Sequence, residues 1–341
     1  MTDIHHYNLK EHNSFGISAE CRRFIEYSSI GELQDIISEI ANLNEPRVLH
    51  IGGGNNLLFT KDFDGIVLHS AIRGIEHLQT EGDEVLVRAG AGEDWDEFVG
   101  HCVEQGWYGL ENLSLIPGEV GASAIQNIGA YGAEVCNNIK YVEAIDAQTG
   151  QKRIFEASEC RYGYRSSIFK HELRGRYYVT AVVFSLSLAF RPDLEYKALS
   201  KAMAEKGITA QDITPHKLRQ LIIDVRRSKL PDPHEVGNAG SFFINPVVER
   251  SVFENLSARY PQIPHFPQPD GRVKVPAGWL IEQCGWKGKT LGKAGVWKLQ
   301  ALVLVNTGGA TGQDIVKLSE AIRSDVKKNF GIDIFPEVNF L

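Results

Sequence analysis

No run of apolar residues in this chain approaches the roughly 18 to 20 that a bilayer-spanning helix needs, and Met1–Lys10 has no basic start leading into an apolar core. Neither a membrane anchor nor a secretory leader is expected, and a cytoplasmic location follows as the expectation. Cysteine is scarce: Cys21, Cys102, Cys136, Cys160 and Cys284 are scattered, odd in number, and form no C-x-x-C pair. That spacing argues against zinc or dithiol chemistry and leaves reduced, mostly buried thiols. Positive charge is not in excess, since 36 Lys and Arg stand against 43 Asp and Glu for a formal charge of -7. A general nucleic-acid binder needs a dense basic surface, so that class is set aside. A local cluster such as Arg226, Arg227 and Lys229 can still hold one anionic ligand. There is no internal repeat and no low-complexity tract.

What is present is an ordinary globular composition, 43% hydrophobic and 23% charged over 341 residues. That length accommodates two or three domains. Short apolar runs at Arg47–Ile51, Gly65–His69 and Val85–Ala89 read as strands. Between Glu93 and Gln105, Trp95, Phe98, Val99, Cys102 and Val103 recur at helical spacing before a stop at Gly106. From Lys140 to Leu188 the period changes to two, with strands at Tyr141–Asp146, Arg153–Phe155 and Tyr177–Leu188 around a turn at Thr149-Gly150. This antiparallel stretch makes the fold class α+β rather than doubly wound. Pro215 suits the first turn of a helix running to Arg227. Leu230–Gly240 then reads as a domain crossing or an active-site loop. Thr311-x-x-Asp314 has the form of a capping box for a last helix, followed by a short strand over Ile332–Phe335.

Two segments are rich in glycine. Ile51-Gly-Gly-Gly-Asn-Asn-Leu-Leu58 follows a strand, and glycines there let backbone N–H groups approach an anion closely. Neither dinucleotide nor P-loop spacing is present, and a tight structural turn accounts for the run equally well. Ile116-Pro-Gly-Glu-Val-Gly-Ala-Ser-Ala-Ile-Gln-Asn-Ile-Gly-Ala-Tyr-Gly132 is low in side-chain bulk and suits a backbone laid against a large flat ligand. A buried glycine-rich crossover is the plainer alternative. His5, His6 and His12 read as a solvated N-terminal arm, with no acid or cysteine at metal-ligand spacing.

Taken together, these segments resemble the FAD-binding region of the vanillyl-alcohol-oxidase-like flavoproteins, and specifically the UDP-N-acetylenolpyruvoylglucosamine reductase family in its longer subtype. The likeness continues through Tyr164-Arg165-Ser-Ser-Ile-Phe169, Ser228-Lys229-Leu-Pro-Asp-Pro233, Gly237-Asn-Ala-Gly-Ser241-Phe-Phe-x-Asn245-Pro246, Ala277-Gly-Trp-Leu-Ile-Glu-Gln283 and Pro336-Glu337-Val338. It therefore spans nearly the whole chain in order.

The resemblance implies a two-lobed FAD-binding domain, residues 1–70 and 71–215 with 314–341, and a separate α+β substrate domain over 216–313. It implies noncovalent FAD, NADPH as hydride donor, a UDP-sugar enolpyruvyl ether as substrate, and a monomer. Cofactor contacts would come from Gly52, Gly53, Gly54, Asn55, Asn56 and Leu57, then Pro117, Gly118, Gly121 and Ser123, then Gln126, Asn127, Gly129, Ala130, Tyr131 and Gly132.

Reducing an enolpyruvyl group needs hydride at one alkene carbon, stabilisation of charge on the carboxylate-bearing carbon, and a proton for that carbon. By the resemblance Arg165 would hold the carboxylate, Ser241 would supply the proton and Glu337 would orient or stabilise the intermediate. Tyr164, Arg226, Lys229, Asn245 and Gln300 would line the substrate pocket, and Tyr196 would sit on a loop covering it, followed by an insertion over Ala202–Thr214. Each of these residue types also has an ordinary use: a surface ion pair, a loop hydroxyl, a half-buried aromatic anchor. Asn339 departs from the pattern, since enterobacterial members carry an arginine there. Two rivals remain at this stage: a flavin oxidase of the same superfamily, needing neither Ser241 nor Glu337, and a colourless nucleotide-sugar binding protein.

Overall fold

A computed structural model describes residues 1–43 and 47–341. The chain divides into two compact units, one formed by Met1–Tyr7, Cys21–Gly53 and Asp64–Arg226, the other by Asn8–Glu20, Gly54–Phe63 and Arg227–Leu341.

The first unit holds two sheets. In one, the strands run in the order Thr2–Asn8, Glu20–Tyr27, Phe63–Ser70, Val48–Ile51, the last pair being parallel with Ile51 opposite His69. The helix α1 (Ile30–Ala41) covers it through Leu33, Ile36 and Ile37, and its N-cap Ser29 accepts from the Glu32 N–H. His5 and His6 are exposed, as expected of a solvated arm, and they lie in the first strand of this sheet, at its edge. The second sheet is antiparallel throughout, in the order Lys152–Glu156, Ile139–Asp146, Tyr177–Ser187, Glu84–Gly90, Ile75–Glu81. Its turn at Thr149-Gly150 is tied by Asp146, whose carboxylate accepts the N–H groups of Gln148 and Thr149.

Helix α2 (Trp95–Gln105) begins at Asp94, which accepts from the Glu97 N–H, and ends at Gly106 in the left-handed region. The five apolar residues at helical spacing are all buried in it, and Trp95, Phe98, Val99 and Cys102 join Phe184 and the short α3 (Val120–Gln126) in the core of the antiparallel sheet. Helices α4 (Lys197–Lys206) and α5 (Pro215–Arg227) make a smaller cluster from Leu199, Met203, Leu218, Leu221 and Ile222. Of the stretch Ala202–Thr214, the first five residues end α4, and Met203 and Ile213 join this cluster.

The second unit is built on an antiparallel sheet in the order Asn238–Ser241, Val303–Asn306, Ala294–Val296, Thr290–Leu291. Around it pack α6 (Arg250–Arg259), α7 (Ala277–Gln283) and α8 (Gly312–Phe330). The capping box of α8 is formed by Thr311 and Asp314, and Gly331 closes the helix with φ 71°. Ile315, Leu318, Ile322 and Val326 pack with Leu280, Ile281, Val296 and Leu304.

That packing redraws the expected division of the chain. Residues 314–341 belong to the unit that contains 227–313 rather than with 71–215, because the apolar stripe of α8 is covered there. The expected strand at Ile332–Phe335 is not formed. Ile332 and Ile334 alternate into the core as a strand would, but the Ile334 carbonyl accepts from Arg323 Nε at 2.8 Å, and the last strand is Asn339–Phe340, parallel to Leu57–Leu58. No helix among the described residues is long and apolar enough to cross a membrane. Of the cysteines, Cys21, Cys102 and Cys160 are buried and all five are free thiols.

Candidate active site

The glycine run crosses from one unit to the other between Gly53 and Gly54. In the first unit, a Cβ on Gly52 would stand 3.1 Å from both Ala122 Cβ and Glu119 Oε2, so the strand end packs closely on the start of α3. A Cβ on Gly121 would lie 2.7 Å from that of Ala91, so this glycine serves close packing of α3 on the sheet. Glu119, beside Gly52, is itself tied down. His69 on the strand Phe63–Ser70 bridges two acids, with Nδ1 2.9 Å from Glu26 and Nε2 2.8 Å from Glu119. Burial alone would lower its pKa, but the hydrogen bonds and charges of Glu119 and Glu26 prevail and raise it above the ordinary value.

The second glycine segment carries unusual backbone. Leu115, Asn127 and Tyr131 all have left-handed φ, at 57°, 48° and 49°, and Arg165 joins them at 54°. Such conformations cost of order 1 kcal/mol or more each for residues with a Cβ and persist where surrounding contacts impose them. Those contacts are visible. Asn127 is buried and donates to the Gly163 carbonyl at 2.8 Å while accepting the Cys136 N–H. Ser123, also buried, donates to Val120 O at 2.6 Å. Both side chains therefore serve the loop itself. Arg165 lies across this segment, its Nη2 donating to Gly129 O at 2.6 Å and its Nη1 to Asn127 O at 3.3 Å. Tyr164 beside it is exposed, with the Arg165 guanidinium 5.5 Å from its ring centre.

Tyr131 and Tyr196 meet edge to face at 5.5 Å, which places the tyrosine at the start of α4 beside the glycine segment. Arg226, at the end of α5, donates from Nε to Leu115 O at 3.1 Å and to the Tyr131 hydroxyl. Burial lowers its pKa, which Tyr131 and Asp96 oppose, and Arg165 adds like charge. Gln126, Ala130, Gly132, Pro117 and Gly118 lie along the same segment; Gly118 and Gly132 have φ of 126° and 89°. The first unit thus brings Arg165, Arg226, Tyr131 and Tyr196 around one glycine-rich strip.

The second unit gathers the remaining residues. Asn238 is buried, donating to Val236 O at 2.8 Å and accepting the Gly240 N–H. Phe242 and Phe243 are 1% exposed. Between these anchors Ser241 is left exposed at the strand end opposite Val303. Ile244 N–H donates to Phe335 O at 3.0 Å and Glu337 N–H to Phe242 O at 2.8 Å, so the C-terminal segment runs against the stretch that follows Ser241. Asn56 joins them, donating to Glu337 O at 3.4 Å, while its own carbonyl accepts the backbone and side-chain N–H groups of Asn339. Asn339 therefore has a local role in holding the Asn56 loop. Asn245 Oδ1 accepts the Ala277 N–H at 2.9 Å, and Gln300 Oε1 lies 3.2 Å from where a Cβ on Gly278 would be, so both meet the first turn of α7. Lys229 is exposed, and its carbonyl accepts from Trp297 Nε1. Asn55 and Leu57 are half-buried beside Asn56, and Gly54 is buried against His12, whose carbonyl a Cβ would meet at 2.0 Å. A cavity of about 590 Å3 in this unit, bordered by Lys10, His234, Trp297 and Gly308, contains none of the expected residues.

Sequence reading missed Asp96, Arg219, Leu115 and the Glu26–His69–Glu119 bridge. Leu115 and Glu119 lie at or in the second glycine segment without any local signal of their role, and the fold brings Glu26, His69, Asp96 and Arg219 to them.

Residues 22–154 match a family of FAD binding domains, which together with this α+β fold and its glycine-lined strip defines an FAD-dependent oxidoreductase. Residues 232–341 match the C-terminal domain of UDP-N-acetylenolpyruvoylglucosamine reductase. Proteins of that name from Bacteroides fragilis and Porphyromonas gingivalis are 50% and 49% identical, the alignment covering 98% of this chain and 99% and 98% of theirs. The one from Burkholderia multivorans is 46% identical over 96% of this chain and 94% of its own. The chain belongs to the UDP-N-acetylenolpyruvoylglucosamine reductase family. A solved reductase of this name from Thermus caldophilus shares the fold, with a TM-score of 0.67 at 20% identity over 99% of this chain and 98% of its own. The expected fold class, α+β with an FAD-binding part and a separate α+β part, is the one found.

Proposed function

We propose that this chain reduces UDP-N-acetylglucosamine enolpyruvate to UDP-N-acetylmuramate, a step of peptidoglycan precursor synthesis, as a cytoplasmic monomer that uses NADPH. Noncovalently bound FAD would supply the hydride chemistry between the nicotinamide and the alkene. Gly52, Gly53 and the strip from Pro117 to Gly132 would hold it through their backbone N–H groups.

The chain's own residues then divide the work. Arg165, fixed on the carbonyls of Asn127 and Gly129, turns a guanidinium to the substrate carboxylate, whose negative charge grows as hydride arrives. Ser241 donates the proton to the carboxylate-bearing carbon, and Glu337 stabilises the charge that develops beside it. Arg226, Lys229, Asn245 and Gln300 bind the UDP-sugar, and Tyr164 and Tyr196 exclude water from above. The observation that carries this reading is the pairing of Glu337 N–H with Phe242 O at 2.8 Å, which supports a carboxylate acting next to Ser241.

The test is product identity. Incubation with NADPH and the enolpyruvyl ether should consume one NADPH per substrate and yield a product heavier by two hydrogens. NADPH oxidation that proceeds without the ether, with oxygen as acceptor, would refute the reductase reading.

A further inference from the structure

Asp96 is the point on which several partly buried groups of the first unit converge. It sits in the first turn of α2, and its Oδ1 accepts the Leu115 N–H at 2.5 Å. The same carboxylate takes both Nη groups of Arg219, at 2.5 and 3.1 Å. Side chains of both partners are mostly buried, 24% and 19% exposed, so the charged pair is screened less than a surface pair would be. Gly100, one turn along α2, makes room: a Cβ there would stand 3.2 Å from Arg219 Nη2.

This clamp has a direction. Leu115 is held in the left-handed region at φ 57°, a conformation that a leucine keeps only under constraint. Its N–H is spent on Asp96, and its carbonyl accepts from Arg226 Nε at 3.1 Å. Arg219 and Arg226 are two helical turns apart on α5, so both reach the same side of that helix. Asp96 thus controls Arg226 twice: through the peptide of Leu115 and through the rotational setting of α5. Arg226 in turn donates to the Tyr131 hydroxyl and faces Arg165.

We propose that Asp96, with Arg219, is a positioning residue for the substrate-side arginine Arg226, acting through the strained peptide of Leu115 rather than by touching the substrate. This rests on the reading of Arg226 as a residue that binds the UDP-sugar.

The experiment is a double-variant cycle on the FAD-loaded enzyme, reading KM for UDP-N-acetylglucosamine enolpyruvate in Asp96→Ala, Arg226→Ala and the combination. Asp96→Ala should raise KM about tenfold, and in the Arg226→Ala background it should add no further rise, as expected for residues acting as one unit. A wild-type KM for Asp96→Ala, or the same factor in both backgrounds, would overturn the proposal. If Asp96→Ala does not fold, Asp96→Asn keeps an acceptor for Leu115 and loses the charged clamp; it should show a smaller rise with the same dependence on Arg226, and no rise would count against the idea. A separate result, Arg226→Ala with unchanged KM, would refute the assignment of Arg226 to the substrate and remove the proposal with it.

Discussion

The Glu337 N–H donates to the Phe242 carbonyl at 2.8 Å, so a residue near the end of the chain is tied to the neighbour of Ser241 some 95 positions earlier. The tie uses main-chain atoms only. Either side chain can be replaced without breaking it, which makes substitutions at both positions readable as chemistry rather than as unfolding.

Ser241→Ala should therefore leave reduction of the bound flavin by NADPH near its normal rate while slowing reoxidation by the enolpyruvyl substrate by roughly a hundredfold or more, the scale of a lost general acid. Stopped-flow absorbance of the two half-reactions checks this. Equal slowing of both would remove the proton-donor role.

Glu337→Gln keeps the size of the side chain and the N–H that pairs with Phe242, and it should show the same split. A variant that turns over like the wild type would place Glu337 outside the chemistry.

Much of the local structure is legible in the amino-acid sequence alone. The helical stripe of Trp95, Phe98 and Cys102 and the cap of α8 follow from local pattern and capping chemistry, and Ser241 stands out through the motif that surrounds it. The boundary of the units is not legible in that way, because the apolar faces of α8 and of Ile332 and Ile334 carry no sign of which core will cover them. The left-handed backbone at Leu115 is equally hidden, since nothing in a leucine announces positive φ. Asp96, which accepts its N–H, lies 19 residues away.

His69 gives a pH dependence with a definite sign. Its folded pKa is raised by Glu119 and Glu26 over the opposing effect of burial, so the imidazolium bridge stabilises fully below the unfolded value of about 6.5 and is lost as pH rises through the folded pKa. The difference in melting temperature between wild type and His69→Gln should be largest near pH 6 and shrink at alkaline pH. A difference that grows with pH would contradict the bridge.

Gly54→Ala is expected to be severe. The position has φ 67°, and the new Cβ would stand 2.0 Å from the His12 carbonyl, a backbone clash no rotamer relieves, costing more than about 3 kcal/mol. Thr311→Ala, which removes only the cap of α8, should cost about 1 kcal/mol and leave turnover unchanged. Denaturant titration of both variants compares them directly.

The central claim is that one flavin site serves NADPH and the enolpyruvyl ether in turn. It is tested most directly by the visible absorption of the anaerobic protein, recorded after adding NADPH and again after adding UDP-N-acetylglucosamine enolpyruvate. The account predicts bleaching by the first and recovery of the oxidised spectrum only with the second. A bleached flavin that the enolpyruvyl ether does not reoxidise would contradict it.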